Sequence, residues 1–275
     1  EGTNFTDSLL VGHATTGTLD NALRNTGVGI DALDALTTGD DNTAVGYQAG
    51  SAITTEGSNT LIGKGAGDAV TSSFNTIMGT NALGAASSSS DGNTAIGRSA
   101  MKDSTAATYN TAVGISSLED TTGDYNIGIG SYSGDNITSG SGNVIIGSVD
   151  AAAADSARTL KIAGYDGSTT TTWITGDSSG NVTMPAEVAA ATLDISGAID
   201  IDGTSNLDAV DIDGAVQIDA TFTSGVDGQG YDTKFFGDTS SAYMLWDTSA
   251  DDLVFAGAAG IDLAGDIDVD GTANL

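Results

Sequence analysis

Asn42-Thr-Ala-Val-Gly46 is followed by Asn59-Thr-Leu-Ile-Gly63, Asn75-Thr-Ile-Met-Gly79, Asn93-Thr-Ala-Ile-Gly97 and Asn110-Thr-Ala-Val-Gly114. Weaker copies end at Gly12, Gly29, Gly130 and Gly147, and the intervals between the nine glycines are 17, 17, 17, 16, 18, 17, 16 and 17. A period this steady marks one structural unit stacked on itself. Seventeen residues suit one solenoid coil of two short strands and two turns. Nine coils at about 4.8 Å would form a rod of roughly 43 Å. The expected fold is therefore all-β: a repetitive β-roll or β-solenoid of about nine 17-residue coils over residues 1–150.

Within each unit the residue before Gly is bulky and aliphatic: Val11, Val28, Val45, Ile62, Met78, Ile96, Val113, Ile129 and Ile146. That regularity assigns Val45, Ile62, Met78, Ile96, Val113, Ile129 and Ile146 to the core. Gly46, Gly63, Gly79, Gly97 and Gly114 are assigned to corners that need positive φ or a close chain approach. Three residues beyond Gly, a small residue recurs (Ala32, Ala49, Ala66, Ala82, Ala100, Ser117, Ser133), as expected where two segments pass closely. Asn25, Asn42, Asn59, Asn75, Asn93, Asn110, Asn126 and Asn143 would stack as an amide ladder of the kind that stabilises cross-β structures. A Thr column (Thr26, Thr43, Thr60, Thr76, Thr94, Thr111) runs beside it.

Composition agrees with an all-β chain of many tight turns. There are 39 glycines, one proline and no cysteine in 275 residues, and 37 acids, nearly all Asp, face only seven Lys and Arg. Asp, Gly, Asn, Ser and Thr form turns well and helices poorly. A formal charge of −30 argues against nucleic acid and against anionic membrane surfaces. Zero cysteine removes disulfides and thiolate chemistry. No apolar run approaches the ~20 residues of a membrane span.

The repeat register ends near Ala151. Residues 151–192 read as a β-hairpin module: Thr159–Ala163, Thr171–Thr175, a turn at Gly176–Asn181, then Val182–Met184 before Pro185. A similar hairpin is expected at Ala242–Trp246 and Leu253–Phe255. Residues 193–275 carry a second, Asp/Gly-rich β repeat, in which Asp194–Leu207 returns as Asp262–Leu275. Leu275 falls inside that repeat, so the natural chain is expected to continue.

Candidate chemistry is sparse. The pairs Asp200 and Asp202, Asp211 and Asp213, and Asp268 and Asp270, each followed by Gly, are the candidate metal ligands, with calcium as the ion that clustered oxygens suit. They lack the further acids of a twelve-residue EF-hand loop. The competing reading is a solvated strand face ending in a turn. No other cofactor is expected. A glycosidase carboxylate pair has nothing to single it out among so many Asp residues. His13 is the only histidine, expected on the surface, and gives a Ser-His-Asp triad no support. Ice binding wants two Thr columns, whereas this single one lapses at Ile127 and Val144. Trp173 and Trp246, mid-strand, are expected to pack in a core.

The phrase Asn-Thr-Ala-Val-Gly-x-x-Ala resembles the head repeat of bacterial trimeric autotransporter adhesins and repeats of bacteriophage tail fibres. The Ile199-Asp-Ile-Asp202 string followed by Gly-Thr resembles structural proteins of marine bacteriophages. The resemblance covers residues 8–150 and implies a left-handed parallel β-roll, three chains side by side and a role in attachment. A homo-oligomer is expected independently, because one thin coil of small aliphatic residues buries little surface. The expected role is a non-enzymatic structural fibre of a virion, tail or side fibre, acting extracellularly in host attachment by multivalent display. Its partners would be its own copies in a homotrimer, other virion proteins and a host receptor, a glycan or outer-membrane component. Alternatives are a trimeric adhesin of a bacterial surface, a polysaccharide-degrading spike, and an extracellular filament or surface-layer subunit.

Overall fold

The computed structural model describes residues 5–12, 18–85, 90–188, 214–225, 231–257 and 259–262, with the isolated residues 195, 196, 199, 201 and 212. Every regular element among the described residues is a β-strand. The first are β1 (Phe5–Thr6), β2 (Leu9–Val11), β3 (Ala22–Leu23), β4 (Thr26–Val28), β5 (Thr43–Val45) and β6 (Thr60–Ile62). Then come β7 (Thr76–Met78), β8 (Thr94–Ile96), β9 (Thr111–Val113), β10 (Ile127–Ile129) and β11 (Val144–Ile146). β12 (Leu160–Tyr165), β13 (Thr170–Gly176) and β14 (Val182–Thr183) follow, and β15 (Thr233–Phe236), β16 (Tyr243–Asp247) and β17 (Asp252–Ala256) end the series.

The chain divides into two units, Glu1–Leu193 and Asp194–Leu275. In the first, β2 and β4 to β11 form a β-solenoid of about nine turns. Each three-residue strand pairs in parallel with its counterpart one coil on, so that Thr43 lies over Thr60 and Val45 over Ile62. Pairing does not stop at residue 151. β12 joins β11 in parallel, with Val144 beside Leu160, and β13 and β14 extend the same sheet antiparallel. In the second unit, β15, β16 and β17 form an antiparallel sheet of their own.

Each coil holds one strand where two were expected. The second segment keeps the inter-coil ladder, with Gln48 N–H donating to the Ile30 carbonyl (2.9 Å) and Ser116 N–H to that of Arg98 (3.0 Å). It cannot be a strand because alternate residues are left-handed: Gln48 has φ of 57° and Gly50 of 61°, Ser116 of 51° and Leu118 of 50°.

The core assignment made from the sequence is corrected. Val45, Met78 and Ile129 are 38%, 43% and 41% exposed, and Ile62, Ile96, Val113 and Ile146 are only half-buried. The buried residue is the middle one of each strand: Ala44, Leu61, Ile77, Ala95, Ala112 and Ile145. Strand side chains alternate, so the Thr and the aliphatic residue flanking that position share the outer face. The interior is completed by Leu36, Ile53, Val70 and Ile137 from the turns, by Leu33, Leu83, Met101 and Leu118, and by the small column Ala32 to Ser133.

One edge of this core is the asparagine ladder. All eight Asn side chains are buried. Each Oδ1 accepts the backbone N–H of the Asn one coil on: Asn42 to Asn25 at 2.9 Å, Asn110 to Asn93 at 2.9 Å, Asn143 to Asn126 at 3.0 Å. Most Nδ2 groups donate to a turn carbonyl, as Asn42 does to Glu56 (2.9 Å) and Asn126 to Gly140 (2.9 Å). Ser8 Oγ starts the ladder by accepting Asn25 N–H (2.8 Å), and Thr159 closes it by donating its N–H and hydroxyl to Asn143 Oδ1. Asn alone offers donor and acceptor at this reach without burying a charge.

Candidate functional site

The outer face of the solenoid sheet presents two columns side by side. One is Thr26, Thr43, Thr60, Thr76, Thr94 and Thr111, continued by Ile127 and Val144. The other runs from Val11 to Ile146 and on to Ile162 of β12. A third position, directly after each corner glycine, adds Ile30, Tyr47 and Ile115 to the exposed apolar surface. The segments 25–30, 42–47, 59–64, 75–80, 93–98, 110–115, 126–131 and 143–148 contain no Asp or Glu, in a chain with 37 of them. Their only charges are Lys64 and Arg98.

The described acids of the solenoid coils lie outside its strands, and some have structural work there. Two residues before the Asn column, Asp40 Oδ1 accepts Leu23 N–H (2.7 Å), Asp91 accepts Ser73 N–H (2.6 Å) and Asp124 accepts Thr108 N–H (2.8 Å). Ser73 and Ser141 fill the same slot with hydroxyls, accepting Gly57 and Asp124 N–H. This second inter-coil ladder was missed in the sequence. The spacing to Asn was its signal, hidden among abundant turn Asp and Ser. Beside it, Phe74, Tyr109 and Tyr125 form an exposed aromatic ridge. The two Tyr rings stack at 5.2 Å, and Tyr109 leans over Gly92, where a Cβ would meet its Cδ1 at 2.7 Å.

A groove of about 570 Å³ lies where the last coil meets the hairpin, lined by Tyr132, Asp135, Asp150, Lys161, Tyr165 and Thr170. Burial, followed by the hydrogen bond and the charge of Asp150, pushes the Asp135 carboxyl up to about 7; Glu119 and Asp120 add to the effect. Lys161 Nζ donates to the Asp150 carbonyl (2.8 Å) rather than to either carboxylate.

The corner glycines Gly46, Gly63, Gly79, Gly97 and Gly114 have φ between 135° and 143°. Asp200, Asp202, Asp211, Asp213, Asp268 and Asp270, the candidate calcium ligands, lie outside the described residues, as does His13. Among the described residues, no group of three or more His, Cys, Asp or Glu is gathered as a metal ion would require. No helix among them is long and apolar enough to cross a membrane. Trp173 and Trp246 are not core residues: they are 56% and 44% exposed. Comparison with models of known families, with curated proteins and with solved structures returned no match.

Proposed function

We propose, from the repeat, the solenoid geometry and the resemblance of the Asn-Thr-Ala-Val-Gly phrase to fibre repeats, that this chain is a structural segment of an extracellular attachment fibre, a bacteriophage tail or side fibre, assembled as a homotrimer. The observation that carries the reading is the asparagine ladder. It runs unbroken from Ser8 to Thr159 and ties every coil to the next by buried hydrogen bonds. Such a column resists bending and local opening, which is what a spacer holding a receptor-binding surface away from a particle needs. Copies side by side would then convert weak host contacts into avidity.

In this reading no side chain makes or breaks a covalent bond, and the partners are further copies, other virion proteins and a host-surface glycan or outer-membrane component. Light scattering of the purified chain is the first test. A mass three times that of the 27.1 kDa chain is expected, together with saturable binding of labelled protein to whole cells in a bacterial panel. A chain that stays monomeric at every concentration, or an assembly that binds no cell in the panel, overturns the proposal.

A further inference from the structure

We infer that the outer face of the solenoid sheet is the seam along which copies of this chain pack, with the column Val11, Val28, Val45, Ile62, Met78, Ile96, Val113, Ile129 and Ile146 as its core. The inference rests on the fibre reading above and assigns its self-contact to one surface.

Three observations carry it. The column is continuous over nine coils, yet not one of its members is buried within the chain. Isolated exposed aliphatics are ordinary on protein surfaces, whereas contiguous apolar patches mark contacts. Next, the face is free of acids. Copies of a chain carrying −30 repel one another, and a seam between them is tolerable only where carboxylates are excluded. A basic partner would be met by acids, and an acidic one by more than Lys64 and Arg98. A face with almost no charge fits another copy of itself. Its size is also adequate. Nine strands at about 4.8 Å, and some four residues at about 3.3 Å across, give a flat area of roughly 570 Å². That is of the same order as the roughly 800 Å² per partner of a standard interface.

The absence of cysteine makes single-thiol probes clean. In the full chain, Met78→Cys and Val113→Cys report on the seam, and Ala106→Cys, on an exposed turn, is the control. With the oligomer mass fixed by light scattering, alkylation at positions 78 and 113 is expected to be slower than at 106 by about tenfold or more, and to equalise once dilution returns the chain to monomer. Equal rates within a trimeric assembly overturn the seam but leave the fibre reading standing. A parent chain that stays monomeric at every concentration overturns both. The double variant Val45→Asp, Val113→Asp should fall to monomer mass while keeping the β-sheet circular dichroism of the coils. Retained assembly overturns the inference. So does a face that proves open in the monomer and instead slows ice growth.

Discussion

The first unit fully buries Leu33, Leu61, Ile77, Leu83, Met101 and Leu118, each side chain covered by the coils above and below. In the second unit, β15, β16 and β17 are at least as rich in apolar residues, with Phe235, Phe236, Tyr243–Trp246 and Leu253–Ala256 in consecutive runs. Yet Phe235, Phe236, Trp246 and Leu253 are exposed, and Ala242 is the one buried apolar residue among those described. Phe236 is 77% exposed; Lys234 Nζ sits 5.0 Å from its ring centroid and 3.7 Å from that of Tyr243. The difference is one of closure. A repeat stacked on itself supplies its own second wall, while a sheet of three short strands cannot bury a face by itself.

Substitutions should break this comparison unevenly. Leu61→Asp puts a charge into the solenoid interior and should cost about 5 kcal/mol or more, read as protease cleavage of the neighbouring coils. Asn93→Leu removes the acceptor for Asn110 N–H and the donor to the Ser90 and Ala107 carbonyls. Buried groups left unpaired should make it about 3 kcal/mol less stable, measured by urea denaturation. At Gly114 a Cβ would meet the Gly130 carbonyl oxygen, at a φ of 141°. Gly114→Ala should therefore cost about 2 to 3 kcal/mol, read as a lower melting temperature.

Protonation gives a gentler probe at the end of the solenoid. The folded chain holds the Asp135 proton up to about pH 7, while the unfolded chain releases it near its ordinary value of 3.8. Stability is therefore greatest below about pH 4 for this group and falls as pH climbs towards 7. Asp135→Asn should flatten that slope in a melting series from pH 4 to 8, and an unchanged slope would assign it to other acids. The smallest effect is expected in the second unit. Phe236→Ala should alter stability by less than about 0.5 kcal/mol, and a large loss would mean that something covers that ring.

Much of the solenoid was legible because its restraints are local or strictly periodic. Gly46 and its counterparts advertise a positive φ, and eight Asn residues at one register advertise a ladder. The inner and outer faces were not legible. In Asn-Thr-Ala-Val-Gly both Ala44 and Val45 are apolar, and the regular bulky aliphatic residue before each Gly assigned Val45 to the interior. The geometry instead turns the middle strand residue inward whatever its volume, Ala44 as well as Leu61, Ile77 and Ile145, and Leu33, Leu36 and Ile53, which lie outside the strands, add further bulk to the interior. In sequence, Asp40, Asp91 and Asp124 are indistinguishable from the many other turn Asp residues, and their backbone acceptor role shows only once coils are stacked.

The sequence by itself determined the period, the all-β character and the ladder residues, since each follows from chemistry that repeats every coil. Only the tertiary structure decided which side of a three-residue strand points inward and that β12 continues the same sheet. Orientation there is set by what the turns can fill, and that depends on contacts between successive coils rather than on any pattern within one.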